Sequence, residues 1–466
     1  MSKKSKGQSF FKRVPHAITM LFGIIVLVTL LTYVLPAGTY ERVIVNGRST
    51  VVPNSYKTVS STPIGFLDMF KAIPLGFKAA VEIIFIVLAG GIMFGFMEKS
   101  KAVENAVGTL VKNLGREKKY LIVVLMTFIY GLLGVAVGLE NNIAMVPIAA
   151  VLSLALGGDL ILAAGISVGA MIIGFGLSPI NPYTVGTGHK IAELPMFSGA
   201  LLRSILCFSA LGIMSYYNVY YFKKITLNPE KSLGKGLDVT ELTLSKPIQE
   251  YQMNRKSWLV IAIFLAGLLT IMYGVFNLHW YINELSAVFL IIALLCGLAS
   301  RMSATAMSET VLKAVSVAAP GAFMVGLATS IKVLMEMGNI SDTISYQLSV
   351  LLQDLPLYAS AICMSISQTV INFFIPSGSG QALATLPVML PLGESLGLTR
   401  QITILAFQIG DGLSNLINPT LGGLIAMLSM CRVSIDRWIR FIFPVLISLL
   451  CIAFLALIVA VATNYS

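Results

Sequence analysis

Two stretches of this chain are apolar for about twice the length of one membrane crossing, and polar residues interrupt each in its middle. Residues 120–157 carry a single charge, Glu140, inside Leu139-Glu140-Asn141-Asn142. Residues 355–393 carry none and hold Pro376-Ser377-Gly378-Ser379-Gly380-Gln381. A spanning helix needs about 20 apolar residues, so each stretch reads as a helical hairpin that dips into the bilayer and returns. Two further apolar segments are broken rather than folded back. Residues 160–189 have no formal charge but contain Pro179, Asn181, Pro182, Gly186 and Gly188, and residues 401–431 hold one charge, Asp411. Non-helical backbone at membrane depth is tolerated only where it is buried in protein or lines a cavity.

Composition agrees. Charged residues make up 11% of the chain and hydrophobic residues 56%, against roughly 25% charged in soluble domains. That excludes a soluble enzyme and a disordered chain, and the continuous runs argue against an alternating barrel pattern. The formal charge of +11 is concentrated between the apolar runs, as the orientation rule for membrane proteins requires; it is not a nucleic-acid footprint. The five cysteines read as mostly lipid-depth thiols, with no disulfide or metal role. No GxxxxGK[ST] segment and no potassium-filter sequence occurs. His16, His189 and His279 offer no evident base to Gly378-Ser379-Gly380, and one intramembrane Asp does not make an aspartyl enzyme. A membrane enzyme or a channel is therefore the weaker class beside a carrier.

The broken segments match one another. Ile173-Gly174-Phe175-Gly176-Leu177-Ser178 precedes Asn181-Pro182, and Ile409-Gly410-Asp411-Gly412-Leu413-Ser414 precedes Asn418-Pro419. Met97-Glu98 pairs with Met335-Glu336, and Pro147 with Pro387. Matches in the same order at nearly one offset mark a duplication. The base of the first hairpin follows six Lys/Arg in 99–119, whereas 338–354 holds Asp342 and Asp354 and no base. The two copies are therefore expected to be inverted, the architecture of secondary transporters. The expected organisation is an all-α polytopic protein: a cytoplasmic N-terminus (1–16), a first membrane repeat (17–222) with hairpin 120–157, a cytoplasmic connector (223–256), and a second repeat (257–466) with hairpin 355–393. Residues 36–78 read as an external loop with short strands, and 314–335 as a span preceded by a short amphipathic stretch.

Four polar islands define the candidate solute site: Glu140, Asn141 and Asn142; Ser178, Asn181 and Thr184; Ser377, Ser379 and Gln381; and Asp411, Ser414, Asn415, Asn418 and Thr420. Helix N-termini at such breaks attract carboxylates, while C-terminal carbonyls and Asn or Ser oxygens suit Na⁺ or an ammonium group. Candidate Na⁺ positions lie near Asn142, Asn181, Ser379 and Asn418, with H⁺ as the other coupling ion; no organic cofactor is indicated. An acid at membrane depth is costly and usually functional, so Glu140 and Asp411 can bind a proton, a cation or a cationic solute. The plainer alternatives stay open. Glu140 can lie in an external turn, Asp411 can make a structural hydrogen bond, and the Ser and Asn side chains can simply satisfy backbone freed by the breaks. His189 and Lys190 read as a gate or a solvated turn.

At these motifs the sequence resembles the YfcC-like branch of the C4-dicarboxylate uptake C (DcuC-type) family. That family belongs to the ion transporter superfamily, with divalent-anion/sodium symporters and aminobenzoyl-glutamate transporters. The residues that carry the resemblance are Leu139–Asn142, Gly176–His189, Pro376–Gln381 and Gly410–Thr420, with Val14-Pro15-His16 near the start. The resemblance implies a scaffold domain, a moving transport domain that holds both hairpins, homodimers in the bacterial inner membrane, and elevator-type alternating access. Related symporters carry Ser-Asn-Thr at both tips; here the tips are Glu-Asn-Asn and Ser-Gly-Ser-Gly-Gln, a departure. Some YfcC-like proteins are regarded as basic amino acid or arginine/ornithine exchangers, and two acids without Lys or Arg in the four islands suit such a substrate. A C4-dicarboxylate or other carboxylate is the alternative solute.

Overall fold

The computed structural model describes residues 17–45, 48–52, 55–114, 116–137, 139–240, 242–278, 280, 282–352 and 355–466. The expected cytoplasmic segment 1–16 lies outside them. In chain order the helices are α1 (Ala17–Val34), α2 (Phe66–Ala79), α3 (Val81–Lys99), α4 (Ala102–Leu114), α5 (Lys119–Val137), α6 (Val146–Ala155), α7 (Leu160–Ala164), α8 (Ala170–Gly176), α9 (Thr187–Ile191) and α10 (Ala200–Leu227). Then follow α11 (Arg255–Asn277), α12 (Ile282–Ala299), α13 (Ala304–Met337), α14 (Ser341–Val350), α15 (Leu357–Phe374), α16 (Gly378–Ser395), α17 (Arg400–Ser414), α18 (Gly422–Met430) and α19 (Ile435–Ala462). Two small antiparallel ribbons lie between α1 and α2. Among the described residues six helices are long and apolar enough to cross a bilayer: α3, α10, α12, α13, α15 and α19. Large apolar side chains such as Leu269, Leu294 and Leu455 point outward; lipid, unlike water, accepts them.

The element order after α3 recurs after α13. A short helix (α4, α14) leads into a hairpin (α5–α6, α15–α16), then an interrupted helix (α7–α9, α17–α18), then a 28-residue closing helix (α10, α19). Small residues set the packing between these units. A Cβ on Gly91 would lie 2.8 Å from Ala318, and one on Gly95 2.8 Å from Ala314, so α3 and α13 run antiparallel in close contact. Gly174 meets the Gly131 carbonyl of α5, and Gly410 meets the Ser365 carbonyl of α15. Each hairpin's first arm thus lies backbone to backbone on the interrupted helix of its own half.

Three local readings need correction. Residues 66–79 are a helix, not loop: α2 buries Met69, Ala72 and Gly76 and continues through Pro74. Gly76 lies against Ser330 of α13, whose hydroxyl donates to Ile73 O at 3.4 Å. The amphipathic stretch before 314 and the span after it form the single 34-residue α13, which continues through Pro320 and is capped by Ser303, whose hydroxyl accepts from Ala306 N at 3.2 Å. The start of the connector, 223–227, is helical rather than irregular: α10 extends to Leu227.

Candidate solute site

The second hairpin turns at Ile375-Pro376, and Ser377 caps α16 by accepting from Gly380 N at 3.3 Å. Gly378, the first residue of α16, packs against the Thr184 methyl, and its missing Cβ would lie 3.4 Å from Asp411 Oδ2. A side chain at Gly378 would separate this helix N-terminus from the acid. Gln381 does not face the tip's solvent side. Its amide donates to Gln368 Oε1 at 2.7 Å and ties the two arms together.

Asp411 is fully buried in the last turn of α17. Asn372 of α15, fully buried as well, organises the break beyond it. Its Nδ2 lies 3.0 Å from Asp411 O, 2.7 Å from Ser414 Oγ and 2.7 Å from Asn415 Oδ1, while its own carbonyl accepts from Asn418 Nδ2 at 2.9 Å. Asn418 Oδ1 accepts from Thr420 N at 3.0 Å, and Thr420 Oγ1 donates to Phe373 O at 2.7 Å. Ser414 Oγ donates to Gly410 O at 2.6 Å. Trp438 of α19 closes this region by donating to Leu416 O at 2.7 Å. Sequence reasoning missed Asn372; the signal was one amide in the apolar run Val370–Phe374.

The first break is built alike. Asn181 Oδ1 accepts from Tyr183 N at 2.8 Å and its Nδ2 donates to Phe175 O at 3.0 Å, so the matched Asn-Pro pairs cap freed backbone in both halves. Ser178 Oγ reaches Val135 O at the end of α5 at 3.3 Å. At the first tip, Asn142 Nδ2 donates to Leu133 O at 3.1 Å and Tyr130 OH to Met145 O at 2.8 Å, while Ala144 lies 3.0 Å from a Cβ on Gly90. The first tip is therefore bound to its own arm and to α3. The Glu140 and Asn141 side chains lie outside the described residues.

The two interrupted helices cross at matched positions. A Cβ on Gly176 would lie 2.6 Å from Gly412 Cα, and one on Gly412 2.5 Å from Gly176 Cα. Gln408 Nε2 donates to Ser178 O at 2.7 Å, so α8 and α17 pass antiparallel. Beside this crossing lies a cavity of about 220 Å³. The first tip contributes Leu139, the first break Phe175 and Tyr183, the second tip Pro376–Ser379, and the second break Asn415 and Leu421; Ile83 and Ile282 close it from α3 and α12. Ser377, Ser379 and Asn415 thus reach the cavity, and Asp411 and Thr184 stand at its Gly378 wall. Asn142, Ser178, Asn181, Gln381, Asn418 and Thr420 hold backbone and arms around it. The four candidate Na⁺ positions do not converge on this cavity: of them only Ser379 lines it.

His189 also differs from its reading as a solvated turn: it is fully buried, with Phe197 N donating to its Nδ1 at 2.9 Å. Arg203 of α10 is fully buried as well.

Residues 14–462 match the family described as C4-dicarboxylate anaerobic carrier, DcuC. The chain belongs to this family. A relative from Escherichia coli, named putative basic amino acid antiporter YfcC, is 28% identical over 91% of this chain and 92% of its own length. An uncharacterised Haemophilus influenzae protein is 26% identical over 99% of both chains. Among solved structures, Neisseria gonorrhoeae MtrF, described as one of a class of antimetabolite efflux pumps, superposes with a TM-score of 0.45 at 16% identity, covering 96% of this chain and 94% of its own. The Alcanivorax borkumensis YdaH transporter gives 0.45 at 15% identity, covering 97% and 99%. This DcuC-family member is a multi-pass membrane transporter, not an enzyme.

Proposed function

We propose that this chain exchanges a cationic amino acid of the arginine or ornithine type, moving it by elevator-type alternating access in a bacterial inner membrane. The observation that carries the reading is the fully buried Asp411 carboxylate at the N-terminal wall of α16, beside a cavity whose lining, among the described residues, includes no Lys or Arg. The substrate carboxylate meets the positive N-terminal end of α16 at Gly378 and Ser379, and its ammonium or guanidinium group turns to Asp411. A volume of about 220 Å³ suits a small solute. The printed name of the Escherichia coli relative points the same way.

The duplicated halves are inverted in this reading. The antiparallel α3–α13 and α8–α17 contacts support it, as does the alternation of Lys/Arg clusters that assigns 1–16 and the connector to the cytoplasm. A second cavity, about 190 Å³, lies toward the other ends of α3 and α13, where Pro147 of the first hairpin and Leu242 of the connector meet them. Alternating access shifts the solute between these two openings, in each protomer of a homodimer. Na⁺ or H⁺ supplies coupling where exchange is not obligatory. The buried Thr184 Oγ1 and Asn372 Oδ1, which have no hydrogen-bond partner among the described residues, fit a hard cation by donor type, and Asp411 fits a proton.

A C4-dicarboxylate is the second reading, favoured by the family description; it would bring a second carboxylate toward Asp411. Uptake into proteoliposomes with competitors decides between them. Arginine and ornithine are expected to compete and succinate and fumarate to fail; the reverse pattern overturns the amino acid reading.

A further inference from the structure

Arg203 has no part in the solute contacts above, yet its charge sits fully buried on a membrane-spanning helix. Among the described residues it makes four hydrogen bonds, all to neutral acceptors. Nε donates to Gln408 Oε1 at 3.0 Å and Nη2 to Gln401 Oε1 at 2.9 Å; Nη1 donates to Ser198 O at 2.9 Å and to Tyr465 OH at 3.0 Å. Tyr465 in turn donates to Gly199 O, at the left-handed turn that opens α10. Burying a guanidinium without a carboxylate partner is expensive, and the arrangement needs a reason.

We propose that Arg203 is a positioning residue for the solute site: through Gln408 and Gln401 it holds the first break in register with α17, the helix that carries Asp411. The proposal rests on the carrier reading above. A guanidinium can only donate, so Gln408 must turn Oε1 toward Arg203 and Nε2 toward Ser178 O, where the bond is 2.7 Å. Without Arg203 the amide is free to rotate and set its oxygen against the Ser178 carbonyl. Gln401 is fixed in the same way, and its Nε2 donates to Ser198 Oγ at 2.5 Å. Gln401 Oε1 lies 3.3 Å from His189 Nε2 as well. Since His189 Nδ1 accepts from Phe197 N, the ring is the neutral tautomer protonated at Nε2. One cation thus orients two amides of α17 that hold Ser178, His189 and Ser198. Phe175 and Tyr183 on either side of Ser178 line the cavity, and Thr184 touches Gly378. A displaced Ser178 moves these walls relative to Asp411.

The separating variant is Gln408→Glu. Its carboxylate, held ionised by the adjacent guanidinium, gives Arg203 a better partner and relieves the buried charge, but it cannot donate to Ser178 O. In proteoliposome counterflow with labelled L-arginine, the expected result is a half-saturating concentration raised about tenfold, the scale of one lost buried hydrogen bond, with the maximal rate within about threefold. Melting in detergent is expected at or above the wild-type temperature. Arg203→Lys, which keeps the charge but loses the planar fork, is expected to fall between. Wild-type half-saturation in Gln408→Glu overturns the proposal. If the wild type exchanges no arginine, the carrier reading fails for that solute, and hydrogen exchange tests the positioning claim by itself. Residues 178–189 are expected to exchange faster in Gln408→Glu than in wild type, with 400–414 unchanged; equal exchange overturns it.

Discussion

The first and second breaks share their construction and differ in their chemistry. Gly174 and Gly410 admit the hairpin arms, Gly176 and Gly412 admit each other, and Asn181 and Asn418 cap freed backbone. Between the paired glycines, however, Phe175 lines the cavity, whereas Asp411 stands buried at the N-terminus of α16. The tips diverge too. The first is bound to its own arm and to α3, while the second begins a helix capped by Ser377 whose Gly378 touches the first break. The two breaks share a packing frame, and of the two matched middle positions only 411 carries an acid. The short helices before the hairpins, α4 and α14, differ from the breaks in that each carries an anchoring acid. Glu104 of α4 accepts from Ser245 Oγ at 2.5 Å and from Tyr251 OH of the connector; Asp342 of α14 pairs with Arg42 at 2.6 Å in the loop before α2.

The comparison breaks most visibly if the two middle residues prove equivalent. Asp411→Asn is expected to lower arginine exchange by at least ~100-fold with membrane insertion intact, the scale of losing one partner of a buried charge pair. Phe175→Leu is expected to change it by less than about threefold; similar losses in both would remove the asymmetry. The shared frame predicts matched effects instead. Gly176→Val and Gly412→Val should each destabilise by about 1–3 kcal/mol through overpacking, read as lower melting temperatures in detergent, and a tolerant member of the pair would contradict the crossing. Asn181→Ala and Asn418→Ala should each cost about 1 kcal/mol as lost caps, again measured by melting. The smallest effect concerns Glu104. Burial pushes its pKa up, but bonds from Ser245, Tyr251 and Lys101 outweigh that and lower it from 4.5 to about 2. A carboxylate depressed in the folded state stabilises above its unfolded pKa and loses that contribution as pH falls toward the folded value. Hydrogen-exchange protection of 242–256 should therefore be flat from pH 8 to 5 and decline only below about 4.5; a decline near neutrality would contradict the assignment.

Much of this was legible in the chain because lipid allows few solutions. Long apolar runs with polar centres pointed to hairpins or breaks, and the Ile-Gly-x-Gly-Leu-Ser repeats marked the two segments as related, though not that they cross. What the sequence hid depended on partners distant in the chain. Arg203 reads as a stray charge until Gln401 and Gln408, some two hundred residues later, are brought beside it. His189 looks like a turn residue until Phe197 and Gln401 enclose it. Asn372 is a single amide in an apolar arm until the second break folds around it. α2 was obscured because Pro74 and Lys71 interrupt a short apolar face that only α13 completes. In α13 the polar first turns and Pro320 resemble a boundary, but packing on α3 carries the helix through.

The most direct test is protection of the second tip. In a variant stripped of its five cysteines and carrying Ser379→Cys, a membrane-impermeant thiol reagent should label position 379, and saturating L-arginine should slow that labelling about tenfold or more. Succinate at the same concentration should leave the rate unchanged. Labelling at one rate with and without arginine, in a variant that still exchanges it, would contradict the placement of the solute between the second tip and the two breaks.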